Sequence, residues 1–238
     1  MQTIKRLFST SAKIKIKRTI RFLKDIFTRD YFYFAKNNNI QNLDYQNIVS
    51  IFQNLNTTPN PQNKIYNIQL AAEKINNVLI KPNEIFSFWN TVGEPTKAAG
   101  FVEGRNLTNG KLATSYGGGL CQLSSIIYHT ALLAKLEIME RYNHSVDIYD
   151  EKTRFTPLGS DATVVFAYKD LCFRNTSGIA IFFKIEIKED KLYCNLFTEK
   201  AFSTRELFFQ NEEDTKNKKV YTVDNEGKII AISEYLLH

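Results

Sequence analysis

Three consecutive glycines and one leucine precede Cys121 near the middle of the sequence. From this cysteine onward the apolar residues recur at helical spacing, so the pattern predicts a helix whose first turn carries the thiol. A helix N-terminus offers unpaired N–H groups and a partial positive charge, and both stabilise an anion. Cysteines of low pKa are commonly found in that position. The stretch therefore predicts a thiolate that acts as a nucleophile.

A cysteine nucleophile requires a base to remove its proton, and often a third group that orients the base. The chain has three histidines, of which His238 is the final residue. His129 follows Cys121 on the same predicted helix, at a distance of about 12 Å, which is too far for a hydrogen bond. His144 follows the helix and can fold back to its start. Asp161, at the start of a predicted strand, is the candidate to orient His144, so the order Cys–His–Asp predicts a thiol hydrolase or transferase.

The residues around these three are predicted to contact a substrate. Backbone N–H groups at the helix start would stabilise an oxyanion, with the side chain of Gln122 or Ser124 nearby. The polar residues on both sides of His144 would line the same groove. The predicted substrate-binding residues are Gly117, Gly118, Gly119, Gln122, Ser124, Asn143 and Ser145.

Each assignment has a structural alternative. A free cysteine is more often a small buried hydrophobic residue, His144 could serve only its own loop, and Asp161 could cap a turn. The glycines could cradle a phosphate at the helix start, but neither a P-loop nor a dinucleotide-binding fingerprint follows them. No metal-ligand spacing recurs, and no G-x-S-x-G elbow surrounds the serines after Cys121. The sequence therefore predicts neither a cofactor nor a metal.

Helical periodicity comes first along the chain, and alternating periodicity dominates after Asp161. The predicted fold class is α+β, with N-terminal helices and a glycine loop that leads into a buried helix packed on an antiparallel β-sheet. The Cys–His–Asp order suggests a topology like that of papain-like and transglutaminase-like folds. Residues 1–62 are predicted to form a basic, helical N-terminal arm, and residues 63–238 the α+β domain. The predicted helices are residues 13–27, 45–55, 68–79 and 121–134, and the predicted strands are residues 162–173, 179–187, 191–198, 220–223 and 229–232, with a hairpin turn at Asn109 and Gly110.

The net charge of +6 is concentrated near the N-terminus. The first 29 residues carry nine cationic side chains and one acidic side chain, so the remainder is close to neutral. Generic nucleic-acid binding by the main body is therefore not predicted. Residues 13–27 have the pattern of a basic amphipathic helix. Such a helix would either lie on an anionic lipid surface or pack against the domain with a solvated face.

The three cysteines lack C-x-x-C spacing, which argues against a disulfide framework and against a zinc ribbon. A single disulfide between Cys172 and Cys194 stays open as an alternative. No apolar run reaches the length of about 18 residues that a transmembrane helix needs. The basic N-terminus also lacks the apolar core and cleavage site of a signal peptide. We therefore expect a soluble, cytoplasmic protein, with peripheral membrane contact through residues 13–27 as an option.

Several motifs, in one order, resemble those of the VanW family. They are residues 80–89 (IKPNEIFSFW), 109–112 (NGKL), 117–124 (GGGLCQLS), 143–145 (NHS), 161–163 (DAT) and 170–175 (DLCFRN). The resemblance covers about residues 64–200 and is closest to the short members of the family. It implies a bacterial protein linked to glycopeptide-antibiotic resistance, but it implies no reaction. Cys172 stands where the family pattern has a lysine, which argues that Cys172 has no family role.

Two functions from different classes follow from these features. The first is a Cys-dependent acyl-transfer or amide-hydrolysing enzyme that acts on a peptide or amide-containing small substrate, such as a cell-wall precursor. The second is a non-catalytic ligand-binding or scaffolding protein with a groove at the glycine loop. The first predicts a reactive thiol at Cys121, whereas the second predicts an unreactive one. The assignment of Cys121, His144 and Asp161 rests on these residues alone, because the family resemblance does not supply it.

Overall fold

The computed structural model describes residues 9–36, 44–55, 61–108, 111–147 and 154–237. These residues form four α-helices and eleven strands, which confirms the predicted α+β class. The helices are α1 (Thr10–Phe27), α2 (Gln62–Ile75), α3 (Phe88–Val92) and α4 (Leu120–Leu133). The strands are β1 (Gln46–Asn54), β2 (Ile85–Ser87), β3 (Glu103–Thr108), β4 (Lys111–Tyr116), β5 (Glu137–Glu140), β6 (Cys172–Arg174), β7 (Ile181–Lys188), β8 (Lys191–Thr198), β9 (Leu207–Glu213), β10 (Asn217–Asp224) and β11 (Ile229–Leu236).

The described strands form four small antiparallel sheets, so the prediction of a single sheet is wrong. Their orders are β1-β8-β7, β11-β10-β9, β2-β6-β5 and β3-β4. Tight turns join β7 to β8, whereas the irregular residues 154–171 precede β6. Even so, β5 pairs with β6 across that irregular segment. The strands β1, β5 and β8 pack against α4, and β3 and β7 pack against α2.

Helix α4 lies at the centre of the hydrophobic core. Leu123, Ile126, Ile127 and Ala131 are fully buried, and the buried residues lie on all sides of the helix. A helix that is apolar all round must be covered on all sides, and α4 contacts α2, β1, β5 and β8. The predicted buried helix after the glycine loop is therefore confirmed. Its central position fixes the place of Cys121 in its first turn.

The prediction of a short helix at residues 45–55 is wrong, because strand β1 (Gln46–Asn54) lies there. β1 pairs with β8 along its length and ends with Asn54 opposite Lys191. Val49 and Gln53 are buried against the core. The residues of β1 are rich in β-branched side chains, which suit a pleated surface. The strand forms because its partner lies far along the sequence, which a local periodicity cannot reveal.

The predicted strand at residues 162–173 is also wrong for most of its length. Only Cys172–Arg174 joins a ladder, as β6 between β2 and β5. Residues 162–164 carry no strand ladder, and their backbone bonds go elsewhere. The Ala162 N–H donates to Ser125 Oγ at 2.9 Å, and the Thr163 N–H donates to the Tyr142 carbonyl at 2.7 Å. Hydrogen bonds to a helix and to a loop thus replace those of a neighbouring strand.

Other predicted elements are present, although their first or last residues differ from the prediction. Helix α2 ends at Ile75 rather than at residue 79, because the Asn76 side chain exchanges two hydrogen bonds with the backbone of Ile185 in β7. The β7–β8 hairpin is confirmed. Strands β3 and β4 pair Thr108 with Lys111, while the predicted turn at residues 109–110 lies outside the described residues. Among the described helices, none is both long and apolar enough to cross a membrane.

Candidate functional site

The glycine turn before α4 is shaped by close packing of the backbone. Gly117 and Gly119 have φ angles of 79° and 101°, a region in which other residues are strained. A Cβ on Gly118 would lie 2.4 Å from the carbonyl carbon of Gly104 in β3. The buried Asn67 side chain donates to the Gly118 carbonyl at 3.1 Å and holds the turn. The glycines are therefore required by the fold of the helix start, and their predicted contact with a substrate stays a prediction.

Cys121 is the second residue of α4 and is partly exposed. Its thiol donates to the Val164 carbonyl at 3.7 Å. The next two amides along the helix both donate to the Gly119 carbonyl, at 3.0 and 3.4 Å. Throughout the described ranges the Cys121 N–H itself meets no acceptor. One free donor thus lies beside the sulfur at the positive end of a buried helix.

Two serines of α4 hold residues 161–164 against the helix start. The Ser124 hydroxyl donates to the Ala162 carbonyl at 2.6 Å, while Ser125 Oγ accepts from the Ala162 N–H at 2.9 Å. Both serines are fully buried. Together they replace the two bonds that a strand partner would make to Ala162. Ser124, predicted to contact substrate, thus fixes the segment whose Val164 carbonyl accepts from the Cys121 thiol.

Asp161 binds both the backbone and the ring of His144. Its Oδ2 accepts from the His144 N–H at 2.7 Å and lies 2.6 Å from His144 Nδ1. This contact places the Nδ1 proton towards the carboxylate and leaves Nε2 as the ring nitrogen for the sulfur. The His144 side chain is 14% exposed and that of Asp161 is 8% exposed. The predicted pairing of His144 with Asp161 is present in the structure.

Arg141 and Tyr235 hold the other carboxylate oxygen of Asp161. Arg141 Nη2 donates to Oδ1 at 3.1 Å, and the Tyr235 hydroxyl donates to the same atom. The Arg141 Nε group also donates to the Asp161 carbonyl at 2.7 Å, and its guanidinium lies over the Tyr128 ring. Both carboxylate oxygens are therefore fully bonded. The sequence prediction missed both positioning residues.

The pKa values of Asp161 and His144 are strongly displaced. Burial works to raise the pKa of Asp161, but its bonds to His144 and the charges of His144 and Arg141 bring it well below its usual range. Burial works to lower the pKa of His144, but Asp161 and Cys121 raise it to about 10. Asp161 is therefore ionised and His144 protonated at neutral pH.

The pKa of the Cys121 thiol is lowered in response. Burial opposes the thiolate, but hydrogen bonding to His144 and the positive charge of its ring outweigh burial, and the Thr163 side chain adds to the lowering. A thiolate beside an imidazolium is the ionisation state of activated cysteine nucleophiles. Sequence reasoning identified the partners of Cys121 but did not single out Thr163.

The structure assigns other contacts to the remaining predicted substrate-binding residues. Gln122 is buried, and its amide donates to the Asn54 carbonyl at 2.9 Å, so it points towards β1. Asn143 donates to the Glu234 carbonyl at 2.6 Å in β11. Ser145 is exposed, and its carbonyl accepts from the Leu236 N–H at 2.9 Å. Asn143 and Ser145 thus anchor the His144 loop to β11.

The other two cysteines lie in different chemical surroundings. Cys194 is fully buried in β8, and burial raises its pKa to about 12. Cys172 is buried beside Asp170, and burial together with that carboxylate raises its pKa. All three cysteines are free, so the disulfide left open from the sequence is not formed. Among the described residues, no group of three potential ligands is placed to hold a metal ion.

A family model described as VanW like protein matches residues 63–197, which is more than half of the chain. Vancomycin B-type resistance protein VanW from Enterococcus faecalis (strain ATCC 700802 / V583) is 34% identical over 139 residues, covering 58% of this chain and 50% of that protein. Uncharacterized protein YoaR from Bacillus subtilis (strain 168) is 30% identical over 144 residues, covering 60% of this chain and 46% of that protein. The chain therefore spans about half the length of these relatives. No solved structure matches it.

Proposed function

The chain belongs to the family of VanW-like proteins, and from this premise we propose that it is a cysteine-dependent enzyme that transfers or hydrolyses an acyl group. Cys121 would be the nucleophile, His144 the acid and base, and Asp161 the group that orients His144. The single observation that carries the proposal is the position of Cys121 beside a histidine whose other ring nitrogen is bound by a buried carboxylate. The Cys–His–Asp order supports chemistry of the papain and transglutaminase type.

The first half of the proposed reaction would form a thioester. The Cys121 thiolate attacks the carbonyl carbon of an amide, and the carbonyl oxygen becomes negative as the S–C bond forms. The free Cys121 N–H at the start of α4 is placed to donate to that oxygen. His144, already protonated, then gives its proton to the amine as the C–N bond breaks. Asp161 keeps the ring in position throughout.

The second half would release the acyl group. Water or a second amine attacks the thioester carbonyl, and neutral His144 takes its proton as the new bond forms. The S–C bond breaks, and the products are a carboxylic acid or a new amide together with the Cys121 thiolate. The imidazolium is thereby restored beside the thiolate. No oxidant, metal or cofactor enters this sequence of steps.

The proposed substrate is a peptide or amide-containing cell-wall precursor. The name of the enterococcal relative supports an association with vancomycin resistance, and an amide is the bond that a thiolate–imidazolium pair suits. Three free cysteines, one of them partly exposed, suit a reducing compartment such as the cytoplasm. These points concern substrate class and location, and they depend on the thiol chemistry proposed above.

Intact-mass analysis tests the thiol chemistry directly. Wild-type protein exposed briefly to iodoacetamide at pH 6 is expected to gain one label, on Cys121, because its lowered pKa gives it more thiolate than an ordinary cysteine has. The Cys121→Ala variant should gain none, and Cys172→Ala should label like wild type because Cys172 has a raised pKa. Incubation with cell-wall peptide precursors should then produce an acyl adduct on wild type and on Cys172→Ala only.

A ligand-binding protein without catalysis is the alternative, and the same experiment separates the two. The alternative predicts slow labelling of Cys121 at pH 6, no adduct, and ligand binding that survives Cys121→Ser. The structure gives it little support at the glycine loop, since Cβ atoms on Gly117 and Gly119 would lie 2.7 Å from Pro95 and Lys64. The faces of these glycines are filled by protein atoms and leave no room for a ligand.

A further inference from the structure

Helix α1 packs against the body with charged side chains and turns its apolar side outwards. The amphipathic pattern of residues 13–27 ordinarily predicts that the apolar stripe is buried. Here Ile16, Ile20, Leu23 and Phe27 are 45%, 56%, 58% and 90% exposed. These four residues recur at helical spacing and lie on one side of α1. We refer to them as the apolar stripe of α1.

Two arginines hold α1 in this orientation. Arg21 makes a two-pronged ion pair with Glu140 of β5, at 3.1 and 2.7 Å, and lies 3.2 Å from the buried Asp170. Arg18 approaches Glu94 at 3.8 Å, and its guanidinium lies over the Phe166 ring. Arg21 and Arg18 thus face the body, while Ile16, Leu23 and Phe27 point away from it and Ile20 borders a groove that Arg21 also lines. The contacts of Arg21 and Arg18 with the body therefore determine which face of α1 is exposed to solvent.

The apolar surface continues beyond the end of α1. Phe32, in the 3-10 turn formed by Asp30–Tyr33, is 71% exposed. Tyr31 joins it to the helix through edge-on ring contacts with Phe22 and Phe32. Exposed large apolar side chains that are grouped in this way mark an interaction site. Aromatic residues at its end suit an interface between apolar and aqueous surroundings.

Cations without acidic partners border the apolar stripe. Lys13, Lys15, Lys17 and Lys24 have no carboxylate within ion-pair distance among the described residues, because Arg18 and Arg21 take the acids. Lys17 and Lys24 also line a groove of about 390 Å³ between α1 and the exposed ring of Tyr168. Apolar residues flanked by free lysines are complementary to acyl chains beneath anionic head groups.

We propose that α1 binds the surface of an anionic lipid bilayer, with the apolar stripe inserted among the acyl chains and its lysines at the phosphate level. The helix would lie in the plane of the interface, which the fixed orientation of Arg21 permits without unfolding. Each lysine near the surface adds to the attraction for anionic head groups. The body, with Cys121, would then be held close to the membrane. The inference is independent of the reaction proposed for Cys121.

Vesicle flotation of the full chain tests this proposal. Wild type should float with vesicles of equal parts phosphatidylcholine and phosphatidylglycerol, stay behind with pure phosphatidylcholine, and bind less as salt is added. Leu23→Glu with Phe27→Glu should weaken binding on the order of 100-fold, since two apolar side chains no longer leave water. Lys15→Gln with Lys24→Gln should weaken it about 30-fold.

A matched control places the same charges on another apolar surface. Phe208 and Ile229 are 51% and 53% exposed in the β9–β11 sheet, so Phe208→Glu with Ile229→Glu should float like wild type. Equal binding of wild type and the Leu23→Glu, Phe27→Glu variant would overturn the proposal. The proposal would also be overturned if wild type bound neither kind of vesicle and formed a dimer that the Leu23→Glu, Phe27→Glu variant does not form. The stripe would then bind a second copy of the chain. Light scattering measures that outcome.

Discussion

The pKa of His144 offers the sharpest test of the site, and Asp161→Asn is the perturbation. The carboxylate lies 2.6 Å from Nδ1 in surroundings that exclude water, and it is the main cause that raises the pKa of His144 to about 10. Asparagine keeps the shape and an acceptor oxygen but removes the charge. An opposite charge at this range shifts a pKa by about 1–3 units. We therefore expect the pKa of His144 to fall to roughly 8 in the variant.

Histidine NMR provides the measurement, because the described histidines titrate far apart. Burial lowers the pKa of His129 to about 4, so its transition does not overlap that of His144. Tyr235→Phe is the matched control, since it removes a bond to Asp161 Oδ1 but leaves the contact between Oδ2 and His144. Its His144 transition should stay close to that of wild type.

Two results would refute this reasoning. A wild-type His144 that titrates near pH 6.5 would mean that its ring is not held between Asp161 and Cys121. An unchanged transition in Asp161→Asn would mean that the carboxylate charge does not set the pKa. Cys121→Ala provides a second reading of the same network, because the sulfur also raises the pKa of His144. Its removal should lower that pKa by a smaller amount than Asp161→Asn does.

Two further predictions concern stability. Gly118→Ala should lower the free energy of unfolding by about 3 kcal/mol or more in urea denaturation, because the new Cβ meets the backbone of Gly104. Gly178→Ala is the control, since its φ of 77° is strained but the space around it is open, and it should cost about 1 kcal/mol. Equal losses in the two variants would contradict this account. His129, neutral in the fold and protonated when unfolded, should cost the wild type roughly 1–2 kcal/mol between pH 7.5 and pH 5. His129→Gln should lack that loss, and a parallel decline in both proteins would exclude His129 as its cause.

The sequence carried enough information to pair Cys121 with His144 and Asp161. The geometry of a helix excludes His129 as a base for Cys121, because the two residues are too far apart along the helix. Few other titratable residues are candidates for that role. The substrate contacts predicted for Gln122 and Ser124 stay predictions. Adjacent residues in a helix point about 100° apart, so Gln122 turns away from Cys121, whereas Ser124, three residues on, stays on the same side of α4. Gln122 reaches β1, and Ser124 binds Ala162.

The partners of Asp161 that the sequence did not reveal depend on distant pairing. Tyr235 reaches Asp161 only because β11 pairs with β10 and Leu236 bonds back to Ser145. Nothing local to Tyr235 marks it, since alternating apolar residues suit any strand. The alternation of apolar and polar residues after Asp161 predicts a strand there. That pattern indicates an extended backbone but not the identity of its hydrogen-bond partner.

The residues that position Asp161 come from distant parts of the sequence, and this bears on when during folding the pKa of Cys121 is lowered. Arg141 and Tyr235 meet Asp161 from either side in sequence, and Tyr235 lies 74 residues away. Contacts of long sequence separation form late in folding. Until β11 docks, the His144 loop lacks the bonds that Asn143 and Ser145 make to that strand. Partly folded chains are therefore expected to carry a Cys121 thiol less reactive than that of the folded protein.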